Sequence, residues 1–310
     1  MIEVESLSRY YGTHRAVDNV SFTIGKNAVV GFLGLNGAGK TTTLKVIAGL
    51  LAPSSGSVRI DGVDMTTAAV SFRQRIGFMP ETPPLYTEMT VSAYLRYLGQ
   101  LRGMPGALVE ARLPSVLERC QLAGQANRVI DELSHGFRKR VGIAQSIIHK
   151  PSLVILDEPI SGLDPVQIVE MRKVIRSLGD ECTVLVSSHI LPEVSQTCDR
   201  ILVLRKGKLI ADGTEEQLAN RFHRSEVISV VIHGSKAKLE ATLQASPIVS
   251  SFTITGGTDD RPAARVEMKG DQREELVRLL LGAGFGLRRL EDASDELEDI
   301  FMDLNREGAA

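Results

Sequence analysis

Cysteine is scarce in this 310-residue chain. Cys120, Cys182 and Cys198 share no CxxC spacing and cannot all pair with one another, which argues against a disulfide framework or a zinc site and leaves them as small core residues. Long apolar runs are missing too: none approaches the roughly 18 to 20 residues needed to span a bilayer. The opening MIEVESLSRYY has neither the basic region nor the apolar stretch of a secretory leader, so a cytoplasmic protein is expected. A net charge of −2 gives no sign of bulk affinity for nucleic acid, and no nucleic-acid partner is expected. The charge is unevenly spread. Residues 225–310 hold 16 acidic and 10 basic side chains, a balance of −6 that leaves +4 on the rest. That asymmetry suggests a domain break.

With 43% hydrophobic residues the chain can build one large core and one smaller one, so two domains are expected. Residues 1–222 alternate apolar runs with helical patterns, an α/β arrangement in which Ala28 to Leu33, LVILDEP and TVLVSSH read as buried strands. Within this region, at about 88–133, strand signals vanish. The leucines and alanines of SAYLRYLGQLRG and LPSVLERCQLAG recur at helical spacing, which predicts a helical insertion. Residues 225–310 read as β-α-β-β-α-β, the order of a small α+β ferredoxin-like unit. The closing DELEDIFMDLN puts Leu297, Ile300, Phe301 and Leu304 on one helix face, expected to dock on the chain's own core rather than on a partner.

Chemistry concentrates in the first region. GLNGAGKT, Gly34 to Thr41, is a G-x-x-x-x-G-K-T pattern between a predicted strand and the helical run Thr42 to Leu50. There glycines admit backbone N–H groups to anionic oxygens, and the helix start adds unsatisfied donors and partial positive charge. Lys40 then reaches the β and γ phosphates of a nucleotide, and Thr41 offers a hydroxyl to Mg²⁺. The run LVIL ends in Asp157 and Glu158, a second phosphate-site element: one carboxylate for the metal's coordination sphere, the other to accept a proton from attacking water. Ser134 is placed as the N-cap of RKRVGIAQSIIH, and Asp164-Pro165 as an N-cap followed by a first-turn proline.

The order of the P-loop, LSHG, LVILDEP, SGLD and SSH resembles that of the ATP-binding subunits of ABC transporters, over residues 1 to about 220. The resemblance implies a P-loop NTPase fold of the ABC type, with ATP and Mg²⁺. Gly34, Asn36, Gly37, Ala38, Gly39, Lys40, Thr41 and Thr42 would form the Walker A loop. Asp157 would be the Walker B magnesium aspartate, Glu158 the catalytic base and His189 the switch histidine at the γ-phosphate. Tyr11 matches the aromatic that stacks on adenine, with Tyr10 the neighbouring alternative. Ser134 and Gly136 match the signature that closes on the ATP of a second subunit, and Asp164 the D-loop of that dimer interface. Glu81 stands where a glutamine usually helps to hold Mg²⁺ and senses the membrane partner. Leu35, His135, Phe137 and Ile160 also depart from the usual pattern, without removing a metal ligand or base.

IGFMPETPPLYTEMTV, LSHGFRKR and the closing LEDIF look like the gliding-motility-like branch of ABC exporters. This likeness implies an ATPase, peripheral on the cytoplasmic face of the membrane, that pairs head to tail with itself or a related ATPase. It would drive a separately encoded integral membrane permease. Two other readings stand beside it: a soluble ABC ATPase of an assembly machine such as iron–sulfur cluster biogenesis, and a nucleotide-dependent interaction module with little hydrolysis.

Overall fold

The computed structural model describes residues 1–222, 226–268, 270 and 272–292, so the Leu297 to Leu304 stripe lies outside the described residues. The chain divides into two compact units, Met1–Glu215 and Glu216–Ala310. The first opens with β1 (Ile2–Tyr11), β2 (His14–Ile24), β3 (Val29–Leu33) and α1 (Lys40–Ile47), followed by β4 (Ser55–Ile60), β5 (Val63–Asp64), α2 (Ala69–Gln74) and β6 (Ile76–Met79). Three helices follow, α3 (Val91–Leu101), α4 (Gly106–Arg119) and α5 (His135–Ile147). The chain then runs through β7 (Leu153–Asp157), α6 (Pro165–Leu178), β8 (Thr183–Ser188), α7 (Leu191–Ser195), β9 (Arg200–Arg205) and β10 (Lys208–Gly213).

Six of these strands form one sheet in the order β10-β9-β3-β8-β7-β6, parallel except for the β9–β10 hairpin. VVGFL, LVILD and TVLVSS are buried at every residue. Such continuous apolar runs belong to strands covered on both faces, which is why they lack the alternation of a half-exposed sheet. A second, antiparallel sheet is ordered β2-β1-β4-β5. One core cluster joins Leu7, Val17 and Phe22 of this sheet to Phe32 of β3 and to Leu44 and Ile47 of α1.

Two predicted helices differ in extent from those observed. The helix after the phosphate loop starts at Lys40 and ends at Ile47, because Gly49 takes a left-handed turn with φ 68°. The second insertion helix begins at Gly106, ahead of Leu113, and continues through Pro114. Val109, Leu113, Val116 and Leu117 form its buried stripe, while Pro114 is exposed. Packing of that stripe overrides the lost backbone donor.

Helix α8 (Glu215–Phe222) starts on the last residue of the first unit, and the second unit continues with β11 (Glu226–His233), α9 (Lys236–Gln244), β12 (Val249–Thr258), β13 (Arg261–Met268), α10 (Arg273–Gly282) and β14 (Gly286–Asp292). Its sheet is antiparallel in the order β12-β13-β11-β14, the arrangement of a split β-α-β fold. Leu239, Leu243, Leu276 and Leu280 of the two helices pack with Ile228, Val230, Val266 and Met268 of the sheet.

Candidate nucleotide site

Because β8 pairs with both β3 and β7, three carboxyl ends converge at the middle of the parallel sheet: Leu33 lies beside Ser188, and Ser187 beside Asp157. In open α/β sheets this edge is where ligands bind. The loop from Gly34 leaves β3 here and enters α1 through Gly39, whose φ of 99° suits glycine and whose missing side chain matters as much. A Cβ there would fall well inside van der Waals contact of the Ala16 carbonyl oxygen. The loop is braced from behind, where the Gly207 N–H of the β9–β10 turn donates to the Ala38 carbonyl at 2.9 Å.

Lys40, at the first position of α1, is buried. Its Nζ donates to the Gly34 carbonyl at 2.6 Å and lies 3.5 Å from Oε1 of Glu158. Thr41 Oγ1 is 3.4 Å from Oδ1 of Asp157. Glu158, only 8% exposed, engages the other side of the site through Oε2, 3.0 Å from Nδ1 of His189. Its backbone is unusual for a non-glycine residue, with φ 48°. Side chains hold both of its ends: the N–H donates to Ser187 Oγ at 2.9 Å, and the carbonyl accepts from Lys139 Nζ at 2.7 Å. The same Ser187 hydroxyl donates to Asp157 Oδ1 at 2.6 Å. Ser188 donates to Glu193 Oε2 at 2.7 Å and accepts from the Ile190 N–H at 3.0 Å, which fixes the turn carrying His189.

These groups surround a cavity of about 480 Å³ lined by Tyr11, His14, Ala16, Leu35, Asn36, Gly37, Gly39, Lys40, Thr41, Thr42, Glu81, Glu158 and His189. That size is in the range of ligand pockets. Tyr11, not Tyr10, lines it, at the end of a two-residue hairpin turn opposite His14, with the Arg9 guanidinium 5.0 Å from the centre of its ring. Among the described residues no three His, Cys, Asp or Glu side chains are grouped to cage a metal. The donors present are a hydroxyl and carboxylates. They suit Mg²⁺, which takes few protein oxygens and completes its shell with water and phosphate.

Ser134, Gly136 and Asp164 lie outside this cavity. Ser134 caps α5 by accepting from the Phe137 N–H at 3.5 Å, and Asp164 caps α6 by accepting from the Gln167 N–H at 2.9 Å. The two caps interlock, since a Cβ on Gly136 would collide with the Gln167 amide and one on Gly162 would sit 3.4 Å from His135 Nε2. Four contributors escaped the sequence reading. His14 opens strand β2 just after a hairpin turn and Glu193 sits in a short helix, neither in a recognisable pattern. Ser187 is one of two adjacent serines at a strand end, and only register tells which hydroxyl bridges the acids. Lys139 lies in RKR, which reads as a solvated face yet is 1% exposed. Burial holds its ammonium below the usual lysine value, opposed by the nearby Glu81, Glu158, Glu193 and Asp157 carboxylates.

A glycine-rich turn at a strand end, a lysine inside it and an acid pair at the end of a parallel strand one strand removed together define a P-loop NTPase. Residues 17–161 match the family model described as ABC transporter. An uncharacterised ABC transporter ATP-binding protein of Bacillus subtilis, YxlF, is 33% identical over 304 residues, 97% of this chain and 98% of that protein. The bacitracin transport ATP-binding protein BcrA of Enterococcus faecalis is 32% identical over 98% of this chain and 96% of its own length. Among solved structures, an ATP-binding subunit of an ABC transporter superposes with a TM-score of 0.65 at 32% identity, covering 72% of this chain and 93% of the other. The chain belongs to the ABC transporter ATP-binding family and is an ABC ATPase. No helix among the described residues is long and apolar enough to cross a membrane.

Proposed function

We propose that this ATPase is the energising subunit of an exporter, peripheral on the cytoplasmic face of the membrane, working as a head-to-tail dimer around two ATP molecules on a separately encoded permease. The observation that carries the dimer is the division of the machinery. Lys40, Thr41, Asp157, Glu158 and His189 meet in or beside one cavity, while Ser134, Gly136 and Asp164 lie outside it on two interlocked helix starts. A second copy facing the first would bring its helix starts to the exposed phosphates, where unsatisfied N–H groups favour negative charge. The bacitracin transport relative supports the exporter reading.

In this reading the loop from Gly34 to Thr42 cradles the phosphates and Tyr11 offers a flat face to the base. Glu158 takes a proton from the water that attacks the γ-phosphorus, while the bond from that phosphorus to the bridging oxygen breaks to leave ADP and phosphate. His189, bonded to Glu158, sits where it can contact the γ-phosphate. Thr41 and Asp157, with Glu81 at the cavity edge, would hold Mg²⁺, which neutralises developing charge on the phosphates. We read residues 225–310 as an accessory domain.

The test is purification of the Glu158→Gln protein from its native cell in the presence of ATP, from detergent-solubilised membranes. A stoichiometric multi-helix membrane protein is expected. Recovery of soluble partners alone would overturn the transporter reading in favour of an assembly machine.

A further inference from the structure

Glu158 is held in a conformation its own sequence opposes. A residue preceding proline is biased toward extended backbone, and Glu158 is followed by Pro159, yet its φ is 48°. For a non-glycine residue such a state is uncommon and persists when the surroundings over-determine it. Here they do so with two hydrogen bonds of opposite sense, Ser187 Oγ on the N–H and Lys139 Nζ on the carbonyl. Ser187 comes from β8, inside the sheet. Lys139 comes from α5, one turn beyond Gly136, and reaches the carbonyl from a fully buried position.

Burying a lysine is expensive unless its donors are satisfied, so a leucine or methionine would serve packing alone better. The Glu158 carbonyl also accepts from the Ser161 N–H of its own turn, but at a longer 3.3 Å, and what the ammonium adds is a short, charged donor at 2.7 Å brought in from a different helix. We infer that Lys139 is a positioning residue for ATP hydrolysis: its hydrogen bond to the Glu158 carbonyl keeps that residue left-handed, aiming the carboxylate between Lys40 and His189, and ties its aim to the seating of α5. This rests on the reading of Glu158 as the group that accepts the proton from water.

The test compares Lys139→Met, which keeps most of the length of the side chain and removes the donor, with Lys139→Gln, which restores an uncharged donor. Steady-state ATP hydrolysis is measured for both, with ATP affinity measured separately by equilibrium binding. The expected result is a kcat about 10- to 100-fold lower in Lys139→Met, the scale of a misplaced reacting group, with ATP affinity within about threefold of the parent. Lys139→Gln should recover most of the lost kcat. In a Glu158→Gln background, Lys139→Met should lower the residual rate no further, since a misaimed amide loses nothing. The inference is overturned if Lys139→Met keeps the parental kcat, if kcat and affinity fall together, or if the two substitutions multiply. Should Lys139→Met not fold, Lys139→Gln decides alone, a loss of kcat beyond about tenfold counting against positioning by hydrogen bond. If Glu158→Gln itself hydrolyses ATP at the parental rate, the reading of Glu158 fails instead, and that outcome is separate from any result at Lys139.

Discussion

Replacing Ser187 by alanine tests the architecture of the site where it is most concentrated. One hydroxyl donates to the buried Asp157 carboxylate at 2.6 Å and accepts from the Glu158 N–H at 2.9 Å. Alanine removes both bonds and changes little volume. A hydrogen bond to a charged group contributes about 1.5–3 kcal/mol and a neutral one about 1 kcal/mol, with the orphaned N–H adding to the loss. A stability loss of roughly 2–4 kcal/mol follows on that scale. For a unit of this size it lowers the melting midpoint by about 5–12 °C. Calorimetry on the whole chain, with and without ATP, measures the shift. Turnover should fall more than ATP affinity, because the phosphate loop is untouched while the two acids lose their common anchor. A midpoint within about 2 °C of the parent, with unchanged kcat, would refute the claim that this hydroxyl organises both acids.

Two further substitutions probe the loop and the titration behaviour of the core. Gly39→Ala asks a left-handed position to carry a Cβ against the Ala16 carbonyl. It should cost more than about 1 kcal/mol of loop conformation alone and weaken ATP binding by at least about tenfold. Binding of a fluorescent ATP analogue at the parental level would count against it. His149 donates through Nε2–H to the Ile76 carbonyl, 3.0 Å away, and burial, assisted by the Arg102 charge, pushes its pKa down to about 4. Since the unfolded chain takes up a proton below about pH 6.5 that the folded one refuses, stability drains by about 1.4 kcal/mol per pH unit between there and pH 4. The pH dependence of the melting midpoint should therefore be shallower over that window in His149→Gln than in the parent. Parallel curves would show that His149 titrates normally in the fold.

What could be read from the sequence is what is local. The loop from Gly34 to Thr41 is contiguous, and its chemistry depends on a tight turn, a helix start and a lysine one residue in, all visible in one line of text. The strands LVILD and TVLVSS announce themselves because a strand covered on both faces needs an unbroken apolar run. The β-α-β-β-α-β order of the second unit follows from changes of period at turns, while the strand order β12-β13-β11-β14 appears only in the fold. Register across the parallel sheet decided that Ser187 bridges Asp157 and Glu158, a pairing of residues about thirty positions apart that no spacing rule encodes. Packing decided that Lys139, between two arginines, turns inward to the Glu158 carbonyl. Tertiary structure also separated Ser134, Gly136 and Asp164 from the cavity that holds the other site residues. Which side chains meet at a point is fixed by how buried surfaces fit together, and that fit exists only once the sheets and helices are assembled.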